Sequence, residues 1–371
     1  MSILQNYLTD LEELVNFDSG TQNFAGVTHA AEIMKRHFEA LGFTCELVDL
    51  GPKAGKGLLA RNKPESDVYD VLMNGHLDTV FDDGTAAERP MSVKDDRAFG
   101  PGVSDCKSGV LAIYYALKGA DPKDLDRLSI CVALNPDEET MSPNSNHWLC
   151  ELAAKAKRVL VFEAARAGGQ LVRSRKGSGN YTVNFKGLAS HSGNAFYEGG
   201  NAIIAAMRFG LAAAALSDPI TGTTVNIGVI KGGSVSNIVC PECEVQINVR
   251  FWRNEDEAVM HEALLKLADA VWAPRVTQTL VRTGRIGAMP LSDATKDLVE
   301  QMTRAAELEN VEIGWVDAGG ASDGNHMAEM GVPVIDGCGP AGGGFHADSE
   351  FLRLDTVEER IRMISRFLSL I

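Results

Sequence analysis

Apolar residues recur at Leu4, Leu8, Leu11, Leu14 and Val15, which predicts an amphipathic helix over Leu4–Phe17. A second helix is expected over Ala30–Leu41. Short apolar runs then follow at Cys45–Leu50, Gly57–Arg61, Val71–Asn74, Ile130–Leu134 and Val159–Phe162, with helical stretches at Gly109–Leu117 and Asn146–Ala154 between some of them. Apolar strands alternating with helices predict an α/β layer around a buried, largely parallel sheet.

From about Ser178 the rhythm changes. Tyr181–Phe185 and Val245–Trp252 alternate apolar and polar residues, Asn201–Leu216 and Glu257–Trp272 read as helices, and Thr224–Ile230 and Val276–Val281 read as strands. The order β-α-β-β-α-β is that of a split βαβ unit. Glycine-rich stretches bracket it, and the α/β rhythm returns with a helix over Thr295–Leu308, strands at Val311–Val316 and Pro333–Ile335, and a last helix from Thr356. The expected organisation is a larger domain formed by residues 1–176 and 285–371 with a smaller α+β domain, 177–284, inserted into it.

The length of 371 residues suits two domains, and 45% apolar with 23% charged residues is ordinary for a globular chain. With 35 basic and 50 acidic residues the net charge is −15, which disfavours nucleic acid and anionic membrane surfaces as partners. The first residues lack the basic and continuous apolar segments of a signal peptide, and no run reaches about 18 apolar residues, so neither secretion nor membrane insertion is expected. Seven cysteines, mostly inside apolar runs, fit a reducing cytoplasm; the Cys240–Cys243 pair lacks the second pair that a structural metal site needs.

Polar residues punctuate the ends of the apolar strands, where ligands bind in parallel sheets. Val71–Asn74 runs into Gly75-His76-Leu77-Asp78, the strand to Leu134 leads to Asp137-Glu138-Glu139, and Val159–Phe162 ends in Glu163. Ser104-Asp105-Cys106 follows the Gly100-Pro101-Gly102 turn, and a glycine-rich loop carries Phe345-His346. Taken singly, His76 reads as a core histidine, Glu138-Glu139 as a solvated loop end, and Glu163 as a cap or salt-bridge partner. Two imidazoles and several carboxylates converging on one sheet edge suit zinc or a similar divalent ion. The His-x-Asp spacing lets Asp78 hold the far side of a metal-bound His76.

These segments, with Ala189-Ser190-His191-Ser192-Gly193, Val235-Ser236-Asn237-Ile238, Asn248-Val249-Arg250 and Gly319-Gly320-Ala321-Ser322-Asp323, resemble the M20 metallopeptidases, most closely their carboxypeptidase G2-like members. The resemblance runs in family order from about residue 70 to 350. It implies a zinc-peptidase-like catalytic domain with a mixed, largely parallel sheet and a ferredoxin-like lid and dimerisation domain. It further implies two Zn²⁺, with Co²⁺ or Mn²⁺ as alternatives. Asp105 would bridge them, His76 and Glu163 would complete one position, and Glu139 and His346 the other. Glu138 would be the general base, Asp78 would orient His76, and the Asp105–Cys106 peptide would be cis. His191 would reach a neighbouring subunit's site, and Arg250 and Asn237 would hold the substrate's carboxylate, with Gly320 and Ser322 supplying donors nearby.

The implied activity is hydrolysis of an amide bond, releasing a C-terminal amino acid from a small peptide or N-acyl amino acid, in a homodimer. An N-acyl amino acid deacylase or desuccinylase and an inactive metal-dependent sensor are the alternatives. Cys106 stands where many members carry an acidic residue, Gln170 falls at the place expected for a glutamate-pocket lysine, and His326 reads as a surface residue at a helix start.

Overall fold

The computed structural model describes residues 2–371. The chain divides into two compact units. The first runs up to Ser174 and resumes at Leu291–Ala318 and Ser322–Ile371; the second comprises Arg175–Pro290 and Gly319–Ala321.

In the first unit a six-stranded sheet has the order Thr44–Val48, Gly57–Arg61, Ile130–Asn135, Val71–His76, Val159–Val161, Val334–Ile335. Val71–His76 runs parallel to both of its neighbours, and Val334–Ile335 is parallel to Val159–Val161. The Thr44–Val48 and Gly57–Arg61 strands add an antiparallel edge, so the sheet is mixed. Val71–His76 and Ile130–Asn135 are buried at every position, as expected of strands covered on both faces. Because the three central strands are parallel, the segments that leave their carboxyl ends begin at one edge of the sheet.

Helix Lys107–Gly119 is buried from Lys107 to Leu117. Its close approach to the sheet needs a glycine: a Cβ on Gly109 would stand 1.8 Å from the carbonyl oxygen of Phe162. That contact sets the start of the helix, and Asp105 just before it, beside the end of the Val159–Val161 strand.

A small antiparallel sheet of Gly342–Gly343, Phe351–Arg353, Arg97–Phe99 and Ser92–Lys94 has no counterpart among the elements the sequence pattern predicts. Its strands are only two or three residues long, too short to leave an alternation signal. It joins the loop carrying His346 to the chain just ahead of Gly100. The strand expected over Val311–Val316 is confined to Trp315–Ala318. Asn310 takes a left-handed φ of 53°, and the Val311 N–H turns back to the Ala306 carbonyl at 2.9 Å, so Val311 belongs to the end of helix Asp293–Leu308.

The second unit is an antiparallel sheet ordered Thr224–Gly232, Glu242–Phe251, Gly177–Lys186, Thr277–Ile286, with helices Ala202–Ala214 and Asn254–Ala268. Tyr181, Val183, Phe185, Val245, Ile247, Val249 and Phe251 alternate onto one face and form its core with helix residues such as Phe209 and Leu264. The intervening Asn180, Asn248 and Arg250 occupy the other face. The expected boundary at 284 falls inside the last strand, which runs to Ile286, and Met289 then bridges back to Arg175.

Candidate metal centre

Val71–His76 delivers His76 at its last residue, with the imidazole 1% exposed. Its Nδ1 lies 3.0 Å from the Asp78 carbonyl oxygen and 3.3 Å from Asp78 Oδ1. That fixes the ring and turns Nε2 toward Asp105 Oδ1 at 3.1 Å and Glu163 Oε1 at 3.6 Å. The second oxygen of Asp105 faces another histidine: Oδ2 is 3.4 Å from His346 Nε2, which is also 3.2 Å from Glu139 Oε2. The Asp105–Cys106 peptide is cis.

Donors bound to one zinc ion at 2.0–2.2 Å in a tetrahedron stand about 3.4 Å apart. The four separations, 3.1, 3.6, 3.4 and 3.2 Å, lie around that value. His76, Asp105 and Glu163 thus present one donor set, and His346, Asp105 and Glu139 a second, with one Asp105 oxygen in each. Donor chemistry and spacing fit two divalent ions.

The charges say the same. Burial pushes the Glu139 carboxyl up to about 8 and the Glu163 carboxyl up to about 7, with Asp105 adding its repulsion to each. Burial, and then the charge of Glu163, raises Glu138 well above the usual carboxylate range. His346 is raised to about 9, first by its contact with Asp105 and then by Glu139. Against burial, contacts with His346 and His76 keep Asp105 below its ordinary value. Crowded carboxylates that favour protonation in the absence of a cation are what a cation site looks like.

Two further carboxylates hold the backbone of these segments. Asp78 accepts the N–H of Glu138 on Oδ1 at 3.1 Å and that of Glu139 on Oδ2 at 3.2 Å, while the Thr21 hydroxyl donates to Oδ2 at 2.7 Å. Glu350 accepts the N–H groups of Gly102, Ser104 and Asp105. Behind Glu138, Asp323 accepts from Asn135 Nδ2 at 2.6 Å and from the Ser142 hydroxyl, closing the loop that carries the two glutamates. Thr21, Asp323 and Glu350 have no counterpart in the sequence reading as supports of this centre. Asp323 ends the Gly319–Asp323 segment and Glu350 lies four residues after His346 in the same loop, whereas Thr21 left no signal.

The remaining candidates have partners of their own. In the second unit His191 pairs with Ile238, and the Ser192 N–H donates to the Asn237 carbonyl at 3.0 Å, so His191 and Asn237 are neighbours and both are exposed. Arg250 lies on the polar sheet face, its Nε donating to Asn248 Oδ1 at 2.9 Å. The Gly320 carbonyl accepts from Arg175 Nη1 at 3.2 Å. The Ser322 hydroxyl is committed within the fold: it donates to Asp336 Oδ2 at 2.6 Å and caps helix Asp323–Ala328 by accepting from Gly324 at 3.1 Å. Gln170 sits in a turn closed by the Arg166 N–H and lines a cavity with Glu312 and Arg360. His326 is half-buried rather than exposed, and burial lowers its pKa. Cys106 is buried with Sγ 3.0 Å from the Phe162 carbonyl oxygen, and its Sγ lies within 4.8 Å of donor atoms of His76 and Glu163. All seven cysteines are free thiols.

Comparison with known proteins agrees with this geometry. Carboxypeptidase G2 of Pseudomonas sp. (strain RS-16) is 30% identical over 363 residues, covering 96% of this chain and 87% of that protein. N-acetyl-L-citrulline deacetylase of Xanthomonas campestris pv. campestris is 27% identical over 258 residues, 67% of each chain. Among solved structures, the aminopeptidase PepT of Bacillus cereus shares the fold with a TM-score of 0.78 at 22% identity, covering 98% of both chains. Residues 72–370 match peptidase family M20/M25/M40, and the chain belongs to that family of metal-dependent hydrolases.

Proposed function

We propose that this protein is a dinuclear zinc exopeptidase that cleaves the amide bond before a C-terminal amino acid in a small peptide or N-acyl amino acid. The observation that carries this reading is the division of Asp105 between two donor sets, with Oδ1 toward His76 and Glu163 and Oδ2 toward His346 and Glu139. Zinc held by His76, Asp105, Glu163, Glu139 and His346 would supply Lewis acidity toward the scissile carbonyl and an attacking water. Glu138, half-buried and raised in pKa, takes a proton from the attacking water and returns it to the departing amine. Asp78 keeps that base in register through the Glu138 N–H.

His191 Nδ1 accepts the N–H groups of Gly193 and Asn194 at 3.1 and 3.2 Å, so a neutral ring carries its proton on Nε2. That N–H is the donor that would stabilise the oxyanion in a partner subunit's site. Arg250 offers its guanidinium fork, and Asn237 its amide, to the carboxylate of the leaving residue. A homodimer through the second unit is supported by helix Ala202–Ala214, which buries Ala205, Ala206 and Phe209 but exposes Ile204, Met207 and Leu211 at helical spacing. Strand Thr224–Gly232 at the edge of the same sheet leaves one side unpaired. Free thiols support a reducing, cytoplasmic setting, and among the described residues no helix is long and apolar enough to cross a membrane.

The similarity to N-acetyl-L-citrulline deacetylase favours deacylation of N-acyl amino acids as the second reading. The test is metal analysis combined with an activity panel of dipeptides, folates and N-acetyl and N-succinyl amino acids in Zn²⁺ or Co²⁺. Release of a C-terminal amino acid from peptides or folates supports the first reading, and turnover of acyl derivatives alone supports the second. Bound zinc with no hydrolysis of any substrate would instead indicate a sensor, against which the presence of Glu138 and all five ligands argues.

A further inference from the structure

The Glu350 side chain is the point at which two metal-bearing segments are joined. It is 1% exposed, and its carboxylate accepts three backbone N–H groups from one tight loop: Gly102 on Oε2, and Ser104 and Asp105 on Oε1, each at 2.9 Å. Successive N–H groups converging from such a turn form a concave anion site. Gly102 shapes it with a φ of +70°, and a Cβ there would stand 2.5 Å from Thr79 Cγ2. The anion that fills the concavity belongs to the chain itself.

Glu350 also belongs to the segment that carries His346. Its own N–H donates to the Ala347 carbonyl at 3.1 Å, and the Ala347 N–H donates to Gly344 at 3.2 Å. His346 has a left-handed φ of 60°, which a residue with a side chain keeps only where its surroundings hold it. On one side of this clamp is the Asp105 backbone, and on the other is the loop of His346. Their side chains meet at 3.4 Å in the donor set completed by Glu139. The other set shares Asp105, but its remaining members have different supports: His76 ends a fully buried strand and rests on Asp78, and Glu163 follows a buried strand.

We infer that Glu350 is a positioning residue for one of the two metal positions, setting the spacing of Asp105 and His346 so that the His346–Glu139 position retains its ion. The inference rests on the dinuclear reading of the centre. A carboxylate is required because all three of its partners are donors. Glu350→Gln keeps the volume but sets an NH₂ group against at least one N–H, leaving it unpaired and pushing that part of the loop away.

The experiment is equilibrium dialysis of the full-length protein against buffered free Zn²⁺ and, separately, Co²⁺, with bound metal counted by elemental analysis. Wild type should bind two ions per chain. Glu350→Gln should weaken one ion at least tenfold and the other, which shares Asp105 but not the His346 loop, markedly less, and His346→Ala should likewise weaken one ion selectively. A Glu350→Gln isotherm matching wild type, or equal weakening of both ions, overturns the positioning role while leaving a two-ion wild type intact. A wild type that binds a single ion overturns the dinuclear reading and this inference with it. Should Glu350→Gln not fold, Glu350→Asp, which keeps the charge but withdraws it by one methylene, replaces it. Selective weakening of one ion is again the expected result, and two ions at wild-type affinity would overturn the role.

Discussion

The Asp78 carboxylate accepts the backbone N–H of Glu138 at 3.1 Å while lying 3.3 Å from His76 Nδ1. The proposed base and a proposed metal ligand therefore share one buried anchor, and neither segment can shift without disturbing the other. The backbone is shared, but the Glu138 side chain is not among the proposed ligands, so proton transfer and metal binding can be tested apart.

Replacing Glu138 by Ala or Gln leaves all five proposed ligands in place. Both variants should bind metal as wild type does and lose about 10²–10⁴-fold in kcat, the usual contribution of a positioned acid–base group. Stoichiometric metal analysis alongside steady-state kinetics decides it; near-normal turnover would remove Glu138 from the proton path.

Asp78→Asn should act on both functions. An amide cannot accept two N–H groups and also support His76, so metal affinity should fall about 10–100-fold, as is typical when the hydrogen-bonding support of a metal-bound histidine is lost. Thr21→Val, which removes only one donor to the same carboxylate, should give a smaller loss in the same direction. A competition titration with a chromophoric chelator measures both; equal effects would mean that the hydroxyl, not the two N–H groups, orders Asp78.

Metal should matter more to stability as pH rises. Glu163 and Glu139, raised to about 7 and about 8, are protonated in the metal-free fold at low pH. Because their folded values lie above the unfolded value of about 4.3, stability is lost as pH climbs through that value toward 7 and 8. Bound cations reverse the loss, so the gap in Tm between metal-loaded and chelated protein should widen from pH 5.5 to pH 8. At a free metal concentration 100 times Kd the stabilisation is about 2.7 kcal/mol. Calorimetric scans at several pH values provide the check, and a gap that narrowed toward pH 8 would contradict the carboxylate assignment.

His191 and Glu138 should complement each other between chains. Homodimers of His191→Ala and of Glu138→Ala should each be nearly inactive, but mixing them after dissociation should restore activity, because one site in each mixed dimer then has both residues. Absence of restored activity in a verified mixed dimer would place His191 outside the neighbouring site. Leu211→Glu, which charges the exposed helix stripe, should yield monomers that keep their metal and lose turnover, as seen by sedimentation velocity and elemental analysis.

The centre was legible in the sequence where a chemical side chain stands at the end of an apolar run. His76 and Glu163 follow strands whose continuous hydrophobicity announces them, and Glu139 lies just beyond another. The supporting residues were not legible, for a physical reason. Thr21 and Glu350 act on partners 57 and about 245 residues away, and Glu350 does so through backbone N–H groups, which every residue but proline carries and no pattern marks. The resemblance implied a donor role for Ser322, and nothing in the pattern marked what its hydroxyl also does, which is to cap a helix and bond Asp336. The β-α-β-β-α-β rhythm of the second unit is visible in its alternating and helical patterns, but its last strand extends past 284 because Arg285 and Ile286 continue the pairing with Gly179 and Ser178.

The first unit is built from chain segments on either side of the second, and this gives the centre a history. During synthesis His76, Asp105 and Glu163 are all made before the second unit begins, whereas His346 and the Val334–Ile335 strand come after it. At ordinary elongation rates His346 follows Glu163 by roughly 180 residues, or roughly 10–40 s. A nascent chain thus has every protein ligand for one ion while the other position still lacks its histidine. If two ions bind as proposed, the residues of the His76–Asp105–Glu163 position are all synthesised before the other position has its histidine.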